Sequence, residues 1–257
     1  MNILVCVKHV PETAEADLKV RPDGLGVQSD DLVFDLNEWD LYAVEAALQL
    51  TEEHGGEVTA VTLGNEDAED SLRRALAMGC QEGVHIVDED PAGLDGHAAA
   101  GLLGQVASKK EYDLILCGVQ AADDGLAWTG PALAARLDLP HATMVTAIEK
   151  AGDKFKVRRE LEGGMEEELL LPCPCLLTIQ TGINEPRYVS VMGIRKVRKK
   201  PLEVLARTDM EAKAGPRLKV LSLSLPPAGG QVEFLEGSPG QQAEALAAIL
   251  AEKGGLK

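Results

Sequence analysis

Tyr112-Asp113-Leu114-Ile115-Leu116-Cys117-Gly118-Val119-Gln120-Ala121-Ala122-Asp123-Asp124-Gly125-Leu126-Ala127-Trp128-Thr129-Gly130-Pro131 contains an apolar run, a polar loop and a helix start in immediate succession. The run at 114–119 has strand length and no polar alternation, which suits a strand covered on both faces in a parallel sheet. The loop at 120–125 follows, and a helix opens near Trp128 that carries Leu133, Leu137 and Leu139. A strand end, a loop of small residues and a helix N-terminus together form the usual phosphate site of an open α/β sheet. Free backbone amides and the positive end of the helix dipole face the ligand there. Loops of this kind also occur with nothing bound.

The rest of the chain agrees with an α/β reading. Asn2–Val7 is a first buried strand, and 58–63, 84–87 and 114–119 follow as the second, third and fourth. Helices are expected at 38–53, from residue 65 or 66 to Gly79, and at 94–109. Asn37 is placed to cap the first of them, with Asp40 at the reciprocal third position. Leu41, Val44 and Leu48 fall on one helical face, and Gly55-Gly56 stops it. Between the first strand and the first helix, residues 18–27 read as a small hairpin or extended excursion. Strand–helix units of this length imply a parallel sheet with right-handed crossovers.

After Pro140 the rhythm changes. Residues 143–148, Lys154–Leu161, 165–171 and 175–180 read as strands joined by short turns, an antiparallel extension of the same sheet. Beyond Pro201 the chain becomes irregular, broken by Pro216, Pro226, Pro227 and Pro239. Ser238 then caps a last helix, 241–253, with Leu246, Ile249 and Leu250 on one face. The expected organisation is one α/β domain over 1–205 and an extended C-terminal arm over 206–257. The arm could lie on a partner or pack on its own domain.

Composition narrows the function. The 257 residues carry a net charge of −17, which disfavours non-specific binding to nucleic acid or anionic membranes. No apolar run approaches the roughly 18–20 residues of a membrane span. The N-terminus enters a strand at once, without a basic leader. Five cysteines suit a reducing compartment better than a disulfide framework, so a cytoplasmic chain is expected.

Gly24-Leu25-Gly26 lacks the third glycine and the helix of a dinucleotide fingerprint, and no Walker loop is present. Cys173-Pro174-Cys175 has the wrong spacing for a zinc knuckle, and the five histidines are scattered. No metal site and no catalytic residue is expected. Asp123-Asp124 suits ribose contacts, helix capping or solvent better than acid–base work. The chain reads as a binder that makes no bonds alone. Its most unusual segment is 184–201, where five of the six residues 195–200 are basic in an acidic protein. Cations are favoured at any helix C-terminus. Here Val189, Val191, Met192 and Ile194 precede them, and an apolar tip beside a charge cluster is also how a docking loop looks.

These motifs, in this order, resemble the beta (small) subunit of electron transfer flavoprotein. The likeness runs through Lys8-x-Val10-Pro11, residues 37–46, 55–61, Leu72 to Gly79 and 113–130. It continues through Val157-x-Arg159-Glu160-x-x-Gly163-Gly164-x-Glu166, Leu171-Pro172, Thr178 and Asn184-Glu185-Pro186-Arg187-Tyr188 with its basic run. It covers roughly residues 1–205, and the last fifty match only loosely.

The resemblance implies a Rossmann-like three-layer fold that binds AMP structurally. It also implies a heterodimer whose larger alpha subunit holds most of the FAD. The implied AMP site is Cys6, then Asn37, Glu38, Trp39 and Asp40, then Leu63, then Gly118 through Thr129. Two departures stand out. The family's Asn-Gln-Thr reads Ala127-Trp128-Thr129 here, and Leu63 replaces a smaller or polar residue. The resemblance further implies a recognition loop for electron-donating dehydrogenases, such as acyl-CoA dehydrogenases, with Arg187 and Tyr188 leading to an apolar anchor. That anchor is Val191, one methylene smaller than the usual leucine, with Met192 beside it. Glu160 becomes a candidate ion-pair partner of the alpha subunit, and a quinone oxidoreductase the expected acceptor. A bifurcating relative with a second FAD in place of AMP, a stand-alone nucleotide-binding protein and a ligase-like enzyme are the alternatives. The second leaves the 184–188 motif unexplained, and the third wants a phosphate loop that is missing.

Overall fold

Alternation across the strands explains why their sequences look apolar throughout. In β1 (Asn2–Val7), Ile3, Val5 and Val7 enter one buried cluster while Leu4 and Cys6 enter the other. The computed structural model describes all residues except 14–15, 90, 212–214, 228, 230–231, 233 and 255–257. After β1 come a short antiparallel pair, β2 (His9–Pro11) with β3 (Phe34–Leu36), and α1 (Glu38–His54). Then follow β4 (Glu57–Gly64), α2 (Ala68–Met78), β5 (Glu82–Val87), α3 (Gly96–Ala107), β6 (Leu114–Gly118) and α4 (Thr129–Leu137). The chain continues through β7 (His141–Ala151), β8 (Lys154–Leu161), β9 (Met165–Pro172) and β10 (Cys175–Ile179). α5 (Val191–Val197), β11 (Glu203–Ala206) and α6 (Pro239–Glu252) complete it.

The main sheet has the order β11-β5-β4-β1-β6-β10-β7-β8-β9. Every pairing from β11 to β7 is parallel, and β7, β8 and β9 pair antiparallel. α1 and α2 cover one face around Leu48, Leu72, Leu114 and Leu116. α3 and α4 cover the other around Leu102, Leu103, Ile115 and Leu133. This is the expected three-layer α/β fold with an antiparallel extension.

Three expectations need correction. Residues 175–179 do not close the antiparallel meander: β10 inserts between β6 and β7, parallel to both. All five of its residues are buried, the mark of an interior strand. β11, at the opposite edge, lies in a stretch that reads as irregular, and it is short and mostly exposed. Val189, grouped with the exposed tip, packs against the core instead. The expected small hairpin at 18–27 is present in short form: Val20 bridges antiparallel to Val27, and the Arg21 and Gln28 amides donate to the Gly26 and Lys19 carbonyls, both at 2.8 Å.

The chain divides into two compact units, Met1–Ser222 and Leu223–Lys257. Within the first, Asp95 accepts from the backbone amides of Arg217 (2.6 Å) and Leu218 (2.9 Å). In the second, Gln241 accepts from the Ser238 amide at 2.9 Å, closing a capping box at the start of α6.

Candidate functional site

The strands β4 and β5 lie to one side of β1, and β6 and β10 to the other. β1 and β6 therefore flank the point where the chain's winding reverses, and ligands in open α/β sheets bind at the carboxyl ends of such strands. Asp40 bridges those two ends. Its Oδ2 accepts from the Lys8 amide and its Oδ1 from the Gly118 amide, both at 2.8 Å. Asp40 thus serves the crevice and not its own helix, and the reciprocal cap with Asn37 does not form. Burial pushes the Asp40 carboxyl up to about 7, against the two amides, the Asn37 side chain and the Lys8 charge.

Asn37, fully buried, reaches across to the loop after β6. Its Nδ2 donates to the Gln120 carbonyl at 2.9 Å and its Oδ1 accepts from the Ala122 amide at 3.1 Å. The loop closes on itself through the Gly125 amide to Ala121 and the Leu126 amide to Asp124 Oδ1. Gly118 has to be glycine: a Cβ there would lie 2.5 Å from Asp40 Oδ1 and 2.6 Å from Trp39 Cβ. Lys8 Nζ pairs with Asp123 at 2.7 Å and Asp124 at 3.0 Å. Burial pulls the Lys8 ammonium down, but the two carboxylates outweigh it and hold its pKa above the ordinary value.

α4 opens at Thr129 without a side-chain cap, whereas Asp95 caps α3 by accepting from the Ala98 amide at 2.8 Å. The two helix starts converge, since a Cβ on Gly96 would lie 2.8 Å from Thr129 Oγ1 and from Trp128 Nε1. Ala127 is left-handed at φ 54°, a conformation more comfortable for asparagine than for alanine.

The crevice brings together Cys6, Asn37, Trp39, Asp40 and residues 118–129. Residues 122–127 are exposed and Trp128 and Thr129 half-buried. Glu38 is exposed at the first turn of α1, and Leu63 packs partly into the core on the α3 side. Burial pushes the Cys6 thiol up to about 12, with Asp40 adding to it, and Cys117 also far up, so neither is a thiolate nucleophile. Among the described residues no group of three metal-ligating side chains occurs and no helix is long and apolar enough to cross a membrane.

The second set of expected residues lies elsewhere. Arg187 is held by α1: its Nε donates to Glu45 at 2.7 Å, its Nη2 to Glu45 at 3.0 Å and its Nη1 to Glu52 at 2.8 Å. It is an internal anchor, and Tyr188, Val191 and Met192 after it project outward while Val189 packs inward. Tyr188 is 90% exposed, Val191 65% and Met192 61%. Ser190 caps α5 by accepting from the Gly193 amide at 3.1 Å, and Arg73 closes its other end by donating to the Val197 and Lys200 carbonyls. Glu160 is exposed near the end of β8 and accepts from Gln180 Nε2 at 3.1 Å.

Lys8 and Gln180 were missed as site residues. Lys8 directly follows a buried strand, and that position was the available signal. Gln180 follows β10, and only the interior placement of that strand brings it to this edge.

The family model described as Electron transfer flavoprotein domain matches residues 25–210. The chain is 40% identical over 254 residues to the electron transfer flavoprotein subunit beta of Bacillus subtilis (strain 168), covering 97% of each chain. It is 37% identical to the same subunit of Methylophilus methylotrophus, covering 98% of each. It is also 37% identical to that of Homo sapiens, covering 92% of this chain and 94% of the relative. A crevice at the winding reversal, an outward-facing tip and likeness along nearly the whole chain meet in one conclusion: the chain belongs to the electron transfer flavoprotein family, among its beta subunits.

Proposed function

We propose that the chain pairs with an alpha subunit, holds AMP in the β1/β6 crevice as a structural ligand, and docks donor dehydrogenases through the tip at 188–192. Electrons from a donor such as an acyl-CoA dehydrogenase would pass through the alpha subunit's FAD toward a quinone oxidoreductase. The flavin supplies the redox chemistry, and this chain binds, orients and docks.

The observation that carries the AMP reading is the uncapped start of α4 beside a loop whose acids are already neutralised. The amides of Thr129 and Gly130 and the Thr129 hydroxyl suit a phosphate, and the helix dipole favours its charge. Asp123 and Asp124 would repel an anion, but Lys8 pairs with both. Ala127 and Trp128 offer fewer polar side-chain atoms than the family's Asn-Gln, so backbone amides take a larger share. Asp40 and Asn37 act one layer behind, holding Gly118, Gln120 and Ala122 in place. The residues therefore fit a mononucleotide.

The test is calorimetric titration of AMP into nucleotide-stripped chain. Thr129→Val removes a hydroxyl that bonds an anion and should weaken AMP on the order of tenfold or more. Asp123→Asn should weaken it less. Equal affinity in wild type and Thr129→Val would reject this placement of the phosphate.

A further inference from the structure

The root of the C-terminal arm is held at both ends of α3. Near the end of that helix, Gln105 Nε2 donates to the Glu211 carbonyl at 2.9 Å and Gln105 Oε1 accepts from the Glu211 amide at 3.1 Å. At its start, the Asp95 carboxylate divides its two oxygens. Oδ1 accepts from the Ala98 amide at 2.8 Å and caps the helix, while Oδ2 takes the amides of Arg217 at 2.6 Å and Leu218 at 2.9 Å. Burial alone would raise this carboxyl, but the three amides outweigh it and hold it below its ordinary range. Arg217 and Leu218 are both exposed, so these two bonds, more than side-chain burial, fix the chain there.

Asp95 also stands beside the crevice. The next residue, Gly96, lies so close to the start of α4 that a Cβ would meet Thr129 Oγ1 and Trp128 Nε1, both at 2.8 Å. Farther along α3, a Cβ on Gly101 would lie 3.4 Å from the Arg136 side chain and one on Gly104 3.3 Å from it. The backbone of α3 therefore rests on side chains of α4 at both helix starts and beyond. Close-packed contacts of this kind transmit small displacements. Thr129 carries the hydroxyl assigned to the phosphate, so whatever fixes the start of α3 also fixes the position of that hydroxyl.

We infer that Asp95 is a positioning residue that links the arm to the nucleotide crevice. Docking of the 217 and 218 amides on its second oxygen fixes the start of α3, and Thr129 with it, so that nucleotide in the crevice and order at the arm root favour each other. This rests on the reading of the β1/β6 crevice as an AMP site. The two states differ in whether those amides sit on Asp95. A nucleotide that is bound more tightly in the docked state shifts the chain towards docking by the same factor.

The experiment uses the full chain, stripped of nucleotide, and two variants that free the arm by different means. Asp95→Asn keeps the helix cap, since asparagine caps about as well as aspartate, but its second atom is an N–H donor that cannot accept the arm's amides. Leu218→Pro removes one of those amides from the arm side and leaves Asp95, its charge and its cap untouched. In wild type, hydrogen exchange of the 217 and 218 amides should slow on the order of fivefold on saturation with AMP. In calorimetric titration, AMP affinity should fall by up to that factor in Asp95→Asn and about twofold or more in Leu218→Pro. Wild type that binds AMP with exchange at 217 and 218 unmoved, and both variants at wild-type affinity, would overturn the link and leave the AMP site standing. Loss of affinity in Asp95→Asn alone would place its effect in the helix start and overturn the role of the arm. No AMP binding by wild type would overturn the reading of the crevice and the link together.

Discussion

At the residue scale, Asp40 is the polar group on which most of the crevice converges. Burial raises its carboxyl to about 7, whereas an unfolded chain releases that proton near 3.8. Folding therefore takes up a proton between those values, and the contribution of Asp40 to stability declines as pH rises through that window. Urea unfolding of wild type and Asp40→Asn between pH 4 and 8 should show this. The stability advantage of wild type should shrink on raising the pH, by up to a few kcal/mol. A pH-independent difference would mean that Asp40 stays ionised throughout. Ala127 gives a second residue-level expectation. Its left-handed backbone costs about 1 kcal/mol or more for an L side chain. Ala127→Asn should raise unfolding free energy by roughly 0.5–1 kcal/mol in the same assay. Residue pattern alone shows Asn37 and Asp40 as a helix cap, and only the family resemblance groups them with the loop after β6. Neither shows that Asp40 turns away from its helix, because a capping box and a long-range bridge require the same residue at the same position.

At the element scale, α5 and the irregular segment before it show how an exposed tip is held on a rigid base. Arg187 ties the 184–188 segment to Glu45, which is 4% exposed, so truncating the arginine leaves a buried carboxylate without its cation. Arg187→Ala should cost about 2–4 kcal/mol in chemical unfolding. Arg187→Lys should recover only part, since an ammonium cannot reproduce the fork to Glu45 and Glu52. Val191→Ala should behave oppositely. At 65% exposure it should shift unfolding free energy by no more than about 0.5 kcal/mol. Affinity for the donor dehydrogenase should fall about five- to thirtyfold. A lowered Tm with unchanged donor affinity would make Val191 an ordinary packing residue. The elements themselves were legible where their pattern is local. Strands β1, β4, β5 and β6 were visible as short apolar runs, and α1 and α2 as periodic faces. β10 was visible as a strand but misplaced, because short turns suggest a meander whatever the strand's burial. Its five buried residues in a row carried the contrary signal, that both faces are covered. β11 has a single half-buried residue, Leu205, and no pattern of that size stands out from irregular chain.

At the scale of the whole molecule, the sequence carried the three-layer class because repeated strand–helix units admit few arrangements. The arm was less legible, since proline breaks say where helices stop and nothing about what receives them. Its root is now placed: the amides of Arg217 and Leu218 are held by Asp95. Hydrogen exchange on the chain alone should therefore show protection at 217 and 218. α6 keeps Leu246 at 49% and Leu250 at 39% exposure, and its amides should slow on addition of the alpha subunit. Strong protection of α6 in the chain alone would place its apolar face on this chain instead. The central claim is that the β1/β6 crevice of this chain holds AMP. Mass and absorbance of the nucleotide extracted from the purified chain, and from its complex with the alpha subunit, test it most directly. One AMP per chain is expected in both preparations, and flavin only where the alpha subunit is present. Stoichiometric FAD extracted from this chain alone, or no adenine nucleotide in either preparation, would contradict it.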